Sequence, residues 1–191
     1  LLIVFFAHSS FSQIKLYEWE DDMYSEYSFE SFVELEVLKE EINPMKIDYK
    51  LLSAALFYRT NKARAENDLS PFSYSSKLYQ SAQGHSEDMV NHNFYSHAST
   101  VKGKESLADR LRLVKLYPFV YSENLSFVSV SGSTYSDLSE KIVDGWLNSP
   151  KHKSNILHDE LKYLGCGIYT GSAKNSKQLK FYSTQNFSSN N

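Results

Sequence analysis

The apolar positions divide the chain into an early helical part and a late strand part. After Asn43-Pro44, Asp48 reads as the N-cap of a helix that begins near Tyr49. Its apolar face is Leu51, Leu52, Ala55, Leu56 and Tyr58, continuing to Ala63, and the turn cluster Asn67-Asp68 and Ser70-Pro71 ends it. Leu78, Ala82, His85 and Met89 recur at spacings of 4, 3 and 4, which predicts one face of a second helix over 76–91. Leu107, Leu111 and Val114 predict a third, shorter helix over 104–115. A fourth opens at 133–137 and buries Leu138, Ile142, Val143, Trp146 and Leu147. Asn148-Ser149-Pro150 stops it, because proline cannot continue the hydrogen-bond ladder. Residues 165–170 and 180–187 read as strands, with a polar hairpin loop over 171–176 between them. Runs of helices followed by paired strands predict an α+β fold with antiparallel pairing, not βαβ alternation.

A length of 191 residues fits one domain with some extra length at an end. Aromatics make up 15% of the chain, with 14 Tyr and 12 Phe, enough to build a sizeable core. The net charge of −3 sets up no global field for nucleic acid, and none is expected as a partner. The charge is unevenly spread: residues 17–41 hold ten acids against one base, whereas the chain from Ile42 onward carries 18 bases and 13 acids. Residues 13–47 therefore read as an acidic N-terminal extension, set off from a domain over 48–191. One reading is a solvated linker; the other is a docking strip or pseudo-substrate lying on the more basic domain. Phe29, Phe32, Val33, Leu35, Val37 and Leu38 give this segment something to bury.

Residues 1–12 read as the remnant of a signal peptide, an apolar run followed by Ser10-Phe11-Ser12 ahead of Gln13. This points to a secreted, extracellular or periplasmic protein. No later stretch approaches the ~18 apolar residues of a membrane span. Cys166 is the single cysteine, so no internal disulfide can form, and between Gly165 and Gly167 it reads as a small buried hydrophobe in a strand.

Four segments carry candidate chemistry. Asn61-Lys62-Ala63-Arg64 precedes Leu69-Ser70-Pro71, and Asp88-Met89-Val90-Asn91-His92-Asn93-Phe94-Tyr95-Ser96-His97 closes the second helix. Ser122-Glu123-Asn124-Leu125 comes next. Trp146-Leu147-Asn148-Ser149-Pro150-Lys151-His152-Lys153-Ser154-Asn155-Ile156-Leu157 follows, with Gly165-Cys166-Gly167 and Tyr182-Ser183-Thr184-Gln185-Asn186-Phe187 behind it. In this order, from about Asp48 to Phe187, they resemble the CAP superfamily of SCP/PR-1-like domains, and its bacterial branch in particular. The resemblance implies a three-layer α-β-α sandwich with a central antiparallel sheet. It also implies a cleft that two His and two Glu line in many members, where a divalent metal can be held.

By that resemblance His97 and Glu123 match the first His and the Glu of a Gly-Glu-Asn piece, with Ser122 in the place of Gly. Tyr182 and Ser149 stand where animal and plant members carry the second His and second Glu. His152 matches a His of the bacterial branch. Two imidazoles and one carboxylate suffice for zinc with an open position, and serve equally as a metal-free hydrogen-bonded cluster. No cofactor is required on this reading, and zinc at His97, Glu123 and His152 is the alternative. Asn61, Arg64, Asn124, Asn155 and Gln185 read as structural support, and His85 as a satisfied core histidine. The expected function is binding of a small hydrophobic or peptide ligand (a lipid or sterol among them), or of a cell-surface component, by a monomer. A metal-dependent, protease-like hydrolase and a surface protein–protein interaction module are the alternatives. Ser96 and Ser122 are hydroxyls near the cleft residues by adjacency alone.

Overall fold

The computed structural model describes residues 19–172 and 178–191. The expected leader, His8 and most of the hairpin loop lie outside the described residues. Among the described residues six α-helices are formed: α1 (Phe29–Phe32), α2 (Tyr49–Ala65), α3 (Ser76–Asn91), α4 (Leu107–Leu113), α5 (Tyr135–Leu147) and α6 (Pro150–Ile156). The strands are β1 (Ser73–Tyr74), β2 (Tyr121–Val130), β3 (Tyr163–Ser172) and β4 (Leu179–Ser188), in the sheet order β1-β3-β4-β2. The β2–β4 and β3–β4 pairs are antiparallel, and only the two-residue β1 runs parallel to its neighbour β3.

Local chemistry explains where the helices start. Asp48 accepts from Leu51 N, Ser75 from Leu78 N, Ser106 from Asp109 N and Thr134 from Asp137 N, each satisfying a donor of the first turn. Pro150 does end α5, but it also occupies the first turn of α6, where its missing N–H costs nothing. The chain after Pro150 is therefore a helix.

The sheet separates two helical layers, an α-β-α sandwich. On one face α3 lies over β3 and β4. A Cβ at Gly165 would overlap the backbone at Leu78 and Tyr79, and one at Gly167 the backbone at Ala82 and Gln83. The two glycines thus let α3 sit directly on β3. Cys166 between them points to the opposite face, fully buried, and burial pushes its thiol pKa well up. That opposite face carries α2 and α5, over a core that includes Leu52, Leu56, Ile142, Trp146, Phe181 and Phe187. β2 is an edge strand, and Trp146 Nε1 donates to its Leu125 carbonyl (2.9 Å), so a core side chain occupies part of the open edge.

The acidic segment is not a solvated linker. Trp19, Phe32, Leu38 and Ile42 are buried in the same core as α2 and α5. The Trp19 ring packs edge-on against Tyr24, Phe32 and Tyr58, with centroids 5.1–6.0 Å apart. The acids face solvent, and Glu20 pairs with Lys50 at 2.6 Å. The segment packs on the α2–α5 layer, whereas His97 and Glu123 lie on the α3 face, so the pseudo-substrate reading does not hold.

Candidate functional site

The site is built where α3 ends, where α4 begins and along the inner face of β2. Asn93 adopts a left-handed conformation (φ 53°) after α3, and the Asn93 and Phe94 N–H groups donate back to Val90 O (3.3 Å) and Met89 O (3.0 Å). This C-terminal cap turns the chain sharply across the sheet. His85 Nε2 then holds Ser96 O at 3.0 Å, and Arg110 Nη1 donates to the carbonyls of His97 and Lys104, both at 3.2 Å. Lys104 pairs with Asp88 on α3 at 2.8 Å. His97 is therefore fixed by backbone contacts on both sides.

The His97 side chain is 61% exposed, and its Nδ1 lies 2.9 Å from Glu123 Oε1. With Nδ1–H donating to the carboxylate, the neutral ring presents its Nε2 lone pair outward from the pair. Glu123 is 4% exposed, and its other oxygen accepts from Arg110 Nη2 at 2.6 Å, with that guanidinium only 2% exposed. The Asn186 amide is oriented with its oxygen toward Ser81 Oγ and Ala82 N, so its nitrogen donates to Glu123 Oε2 at 3.0 Å. A relay results: exposed imidazole, buried carboxylate, buried guanidinium.

Burial lowers the pKa of His152, and the charge of His97 lowers it further. Asn124 points to the other sheet face, donating to His152 O and Gln185 Oε1 (both 3.1 Å) and accepting from Asn155 Nδ2 (2.8 Å). Gln185 continues to Thr60 Oγ1 at 2.6 Å. These amides tie α6, β2, β4 and α2 together from behind the site. Asn61 bonds the Phe72 backbone in both directions, and Arg64 donates to the carbonyls of Ser70, Ile156 and His158 over the Phe72 ring. Tyr182 packs on Phe127 (centroids 4.8 Å apart), and Tyr95 lies 5.9 Å and 6.3 Å from the Phe127 and Tyr182 rings. This aromatic cluster shares a sheet face with Glu123, because β2 alternates and Phe127 pairs with Tyr182. Ser149 caps α6 through its backbone and contributes no side-chain cap bond.

The donor set does not fit a divalent metal. Among the described residues no group of three or more His, Cys, Asp or Glu is placed to hold one. Glu123 already has a partner on each oxygen, and one of these is a fixed buried cation. A dication would have to sit beside that guanidinium with a single carboxylate to offset both. His97, Glu123 and His152, expected as a possible ligand set, are not grouped as one among the described residues, and Arg110 occupies the carboxylate between them. Neither hydroxyl named from sequence is paired with His97: Ser96 Oγ accepts from Ala98 N, and Ser122 Oγ is buried without a partner. Ser122 is ordinary extended strand, so the position does not call on glycine's freedom.

Sequence reasoning missed Arg110. Its signal was its place: Leu107, Arg110, Leu111 and Val114 follow the spacing of one buried helical face, and a charge there needs a buried partner. A separate cavity of about 550 Å³ opens between the acidic segment and α2, lined by Tyr24, Phe57, Tyr58 and Tyr74 among others. It contains no histidine, lysine or arginine.

Residues 57–187 match the model of the cysteine-rich secretory protein family. The chain is 33% identical over 128 residues to the membrane protein YlbC of Bacillus subtilis (strain 168), covering 67% of this chain and 32% of that protein. It spans about a third of the length of the curated relatives it matches. Among solved structures, an extracellular SCP-domain protein from Bacillus anthracis superposes with a TM-score of 0.57 at 28% identity, covering 77% of this chain and 44% of that one. An outer surface protein from Borrelia burgdorferi shares the fold at a TM-score of 0.51 and 15% identity, over 80% of this chain and 98% of that one.

Proposed function

Because the chain belongs to the cysteine-rich secretory protein (CAP) family, we propose that it is an extracytoplasmic binding protein whose cleft holds a small, largely apolar ligand. The observation that carries this reading is the aromatic cluster of exposed Tyr95 and Phe127 with half-buried Tyr182, on the same sheet face as the His97–Glu123–Arg110 relay. Aromatic rings left half in water beside one ordered polar group suit a ligand with an apolar body and a polar head. The rings take the body, and His97 Nε2 accepts a hydrogen bond from a hydroxyl or amide of the head. Arg110 and Glu123 fix the imidazole so that little order is lost on binding. Extracytoplasmic placement is supported by the relative from Bacillus anthracis, itself described as extracellular, and by the apolar run at residues 1–7. Among the described residues no helix is long and apolar enough to cross a membrane.

The test is displacement of a fluorescent fatty acid by a panel of fatty acids, sterols and short apolar peptides. At least one class should compete at 1:1 stoichiometry. Replacing Phe127 by Ser should weaken it about tenfold or more, as loss of a buried aromatic contact implies. A flat response across the whole panel, or unchanged affinity in Phe127→Ser and His97→Ala, would overturn the proposal.

A further inference from the structure

Seven large hydrophobic side chains among the described residues are exposed, and four of them fall within residues 113–121, the connection from α4 to β2. Phe119 is 99% exposed and Tyr117 is 69% exposed, with Leu113 and Tyr121 to either side. The connection is held in place. Leu116 is buried against Leu78 and Leu111, and its N–H donates to Leu111 O at 3.0 Å. Lys115 takes the left-handed conformation (φ 56°) that makes the turn. On the far side Val120 is clamped to Ser189, which donates to its carbonyl at 2.9 Å and accepts from its N–H at 3.3 Å. The fold thus pins both ends of Tyr117-Pro118-Phe119 and holds the aromatic tip out into water.

Along the chain on either side of the tip the charge has one sign. Between Asp109 and Glu123 the chain contains no acid, and it contains Arg110, Arg112 and Lys115. Arg110 is internal; Lys115 is exposed on the connection, and Arg112 is exposed in the last turn of α4 just before it, 2.7 Å from Asp109. The four apolar side chains offer on the order of 500 Å² of accessible area, short of the ~800 Å² per partner of a stable protein interface. A protruding tip of Tyr, Phe and Leu, on a stretch that carries Lys115 and no acid from Arg110 to Ser122, is the chemistry of a membrane interface carrying anionic lipid.

We propose that residues 113–121 form a membrane-docking loop, in which Tyr117 and Phe119 enter the interfacial layer of an anionic lipid surface while Lys115 and Arg112 meet its headgroups. The proposal does not depend on the cleft's ligand. The loop leads directly into β2 and Glu123, so docking would bring the cleft close to the lipid surface.

The test is flotation of the protein with vesicles of phosphatidylcholine alone and of 3:1 phosphatidylcholine to phosphatidylglycerol, free of sterol and fatty acid. The protein should float with the anionic vesicles and much less with the neutral ones. Both replaced side chains are exposed, so the double variant Tyr117→Ser, Phe119→Ser should keep its melting temperature while its vesicle partitioning falls at least tenfold. Lys115→Glu should weaken anionic binding severalfold, whereas His97→Ala and Phe127→Ser should float as the parent does. Absence of flotation, equal flotation of the double variant, or loss of flotation in the cleft variants overturns the proposal. A dimer in sedimentation velocity that Phe119→Ser dissociates overturns it as well, since the loop would then be a contact between copies.

Discussion

Replacing Arg110 by Met removes one half of an ion pair whose two side chains are almost fully buried, with Nη2 and Oε2 2.6 Å apart. Met fills much of the alkyl volume of Arg but leaves the Glu123 carboxylate without its strongest partner. It also leaves the carbonyls of His97 and Lys104 without their 3.2 Å donors. Breaking a buried pair from one side costs about 3–5 kcal/mol, because the remaining charge stays desolvated. For a domain of this size that corresponds to a fall in Tm of about 6–20 °C. The double variant Arg110→Met, Glu123→Leu removes both charges and should recover most of the loss, a coupling of at least about 2 kcal/mol in a double-mutant cycle. Urea denaturation followed by circular dichroism at pH 7 measures each term. A loss under about 1 kcal/mol for the single variant, or additivity within about 0.5 kcal/mol, would refute the claim that this pair organises the site.

Three further outcomes follow from the packing. His85 is buried, and burial lowers its pKa to about 4, so the unfolded chain takes up the proton first as pH falls. Its contribution is intact above the ordinary histidine pKa of about 6.5 and is lost down to about pH 4, amounting to roughly 3 kcal/mol that a His85→Gln variant should not lose. Trp19→Ala should cost about 3–5 kcal/mol in chemical denaturation if the acidic segment is core, and under about 1 kcal/mol if it were a linker. Gly167→Ala forces a Cβ into the α3 backbone and should destabilise by about 3 kcal/mol or more in the same assay, whereas Gly84→Ala meets nothing and should be tolerated.

The helices with clear caps and a 3.6-residue pattern were legible from the chain: α2 begins at Tyr49 after Asp48, and α3 spans Ser76–Asn91. Ser122, Asn124 and Ser126 masked β2, since these polar positions lie on a covered sheet face, with Asn124 buried in an amide network, rather than marking a solvent face. The seven residues of α6 are too few to show a period, and Pro150 reads equally as an end and a beginning. The acidic segment misled through its charge count: the acids lie on its surface, while Trp19, Phe32, Leu38 and Ile42 at wide spacings decide its placement. At the site, His97 and Glu123 could be matched by motif, but the chemistry between them could not. It depends on Arg110, whose place on the buried face of α4 calls for a partner but does not say that the partner is Glu123.

The central claim is that ligand binds on the cleft face beside His97, not elsewhere. Aromatic 1H–13C NMR spectra recorded during titration with the best competitor from the displacement panel test this directly. Saturable shifts are expected in the rings of Tyr95, His97, Phe127 and Tyr182, with Tyr24, Phe57, Tyr58 and Tyr74 around the 550 Å³ cavity unmoved. Shifts that map instead to those four cavity rings, with the cleft rings silent, would contradict it.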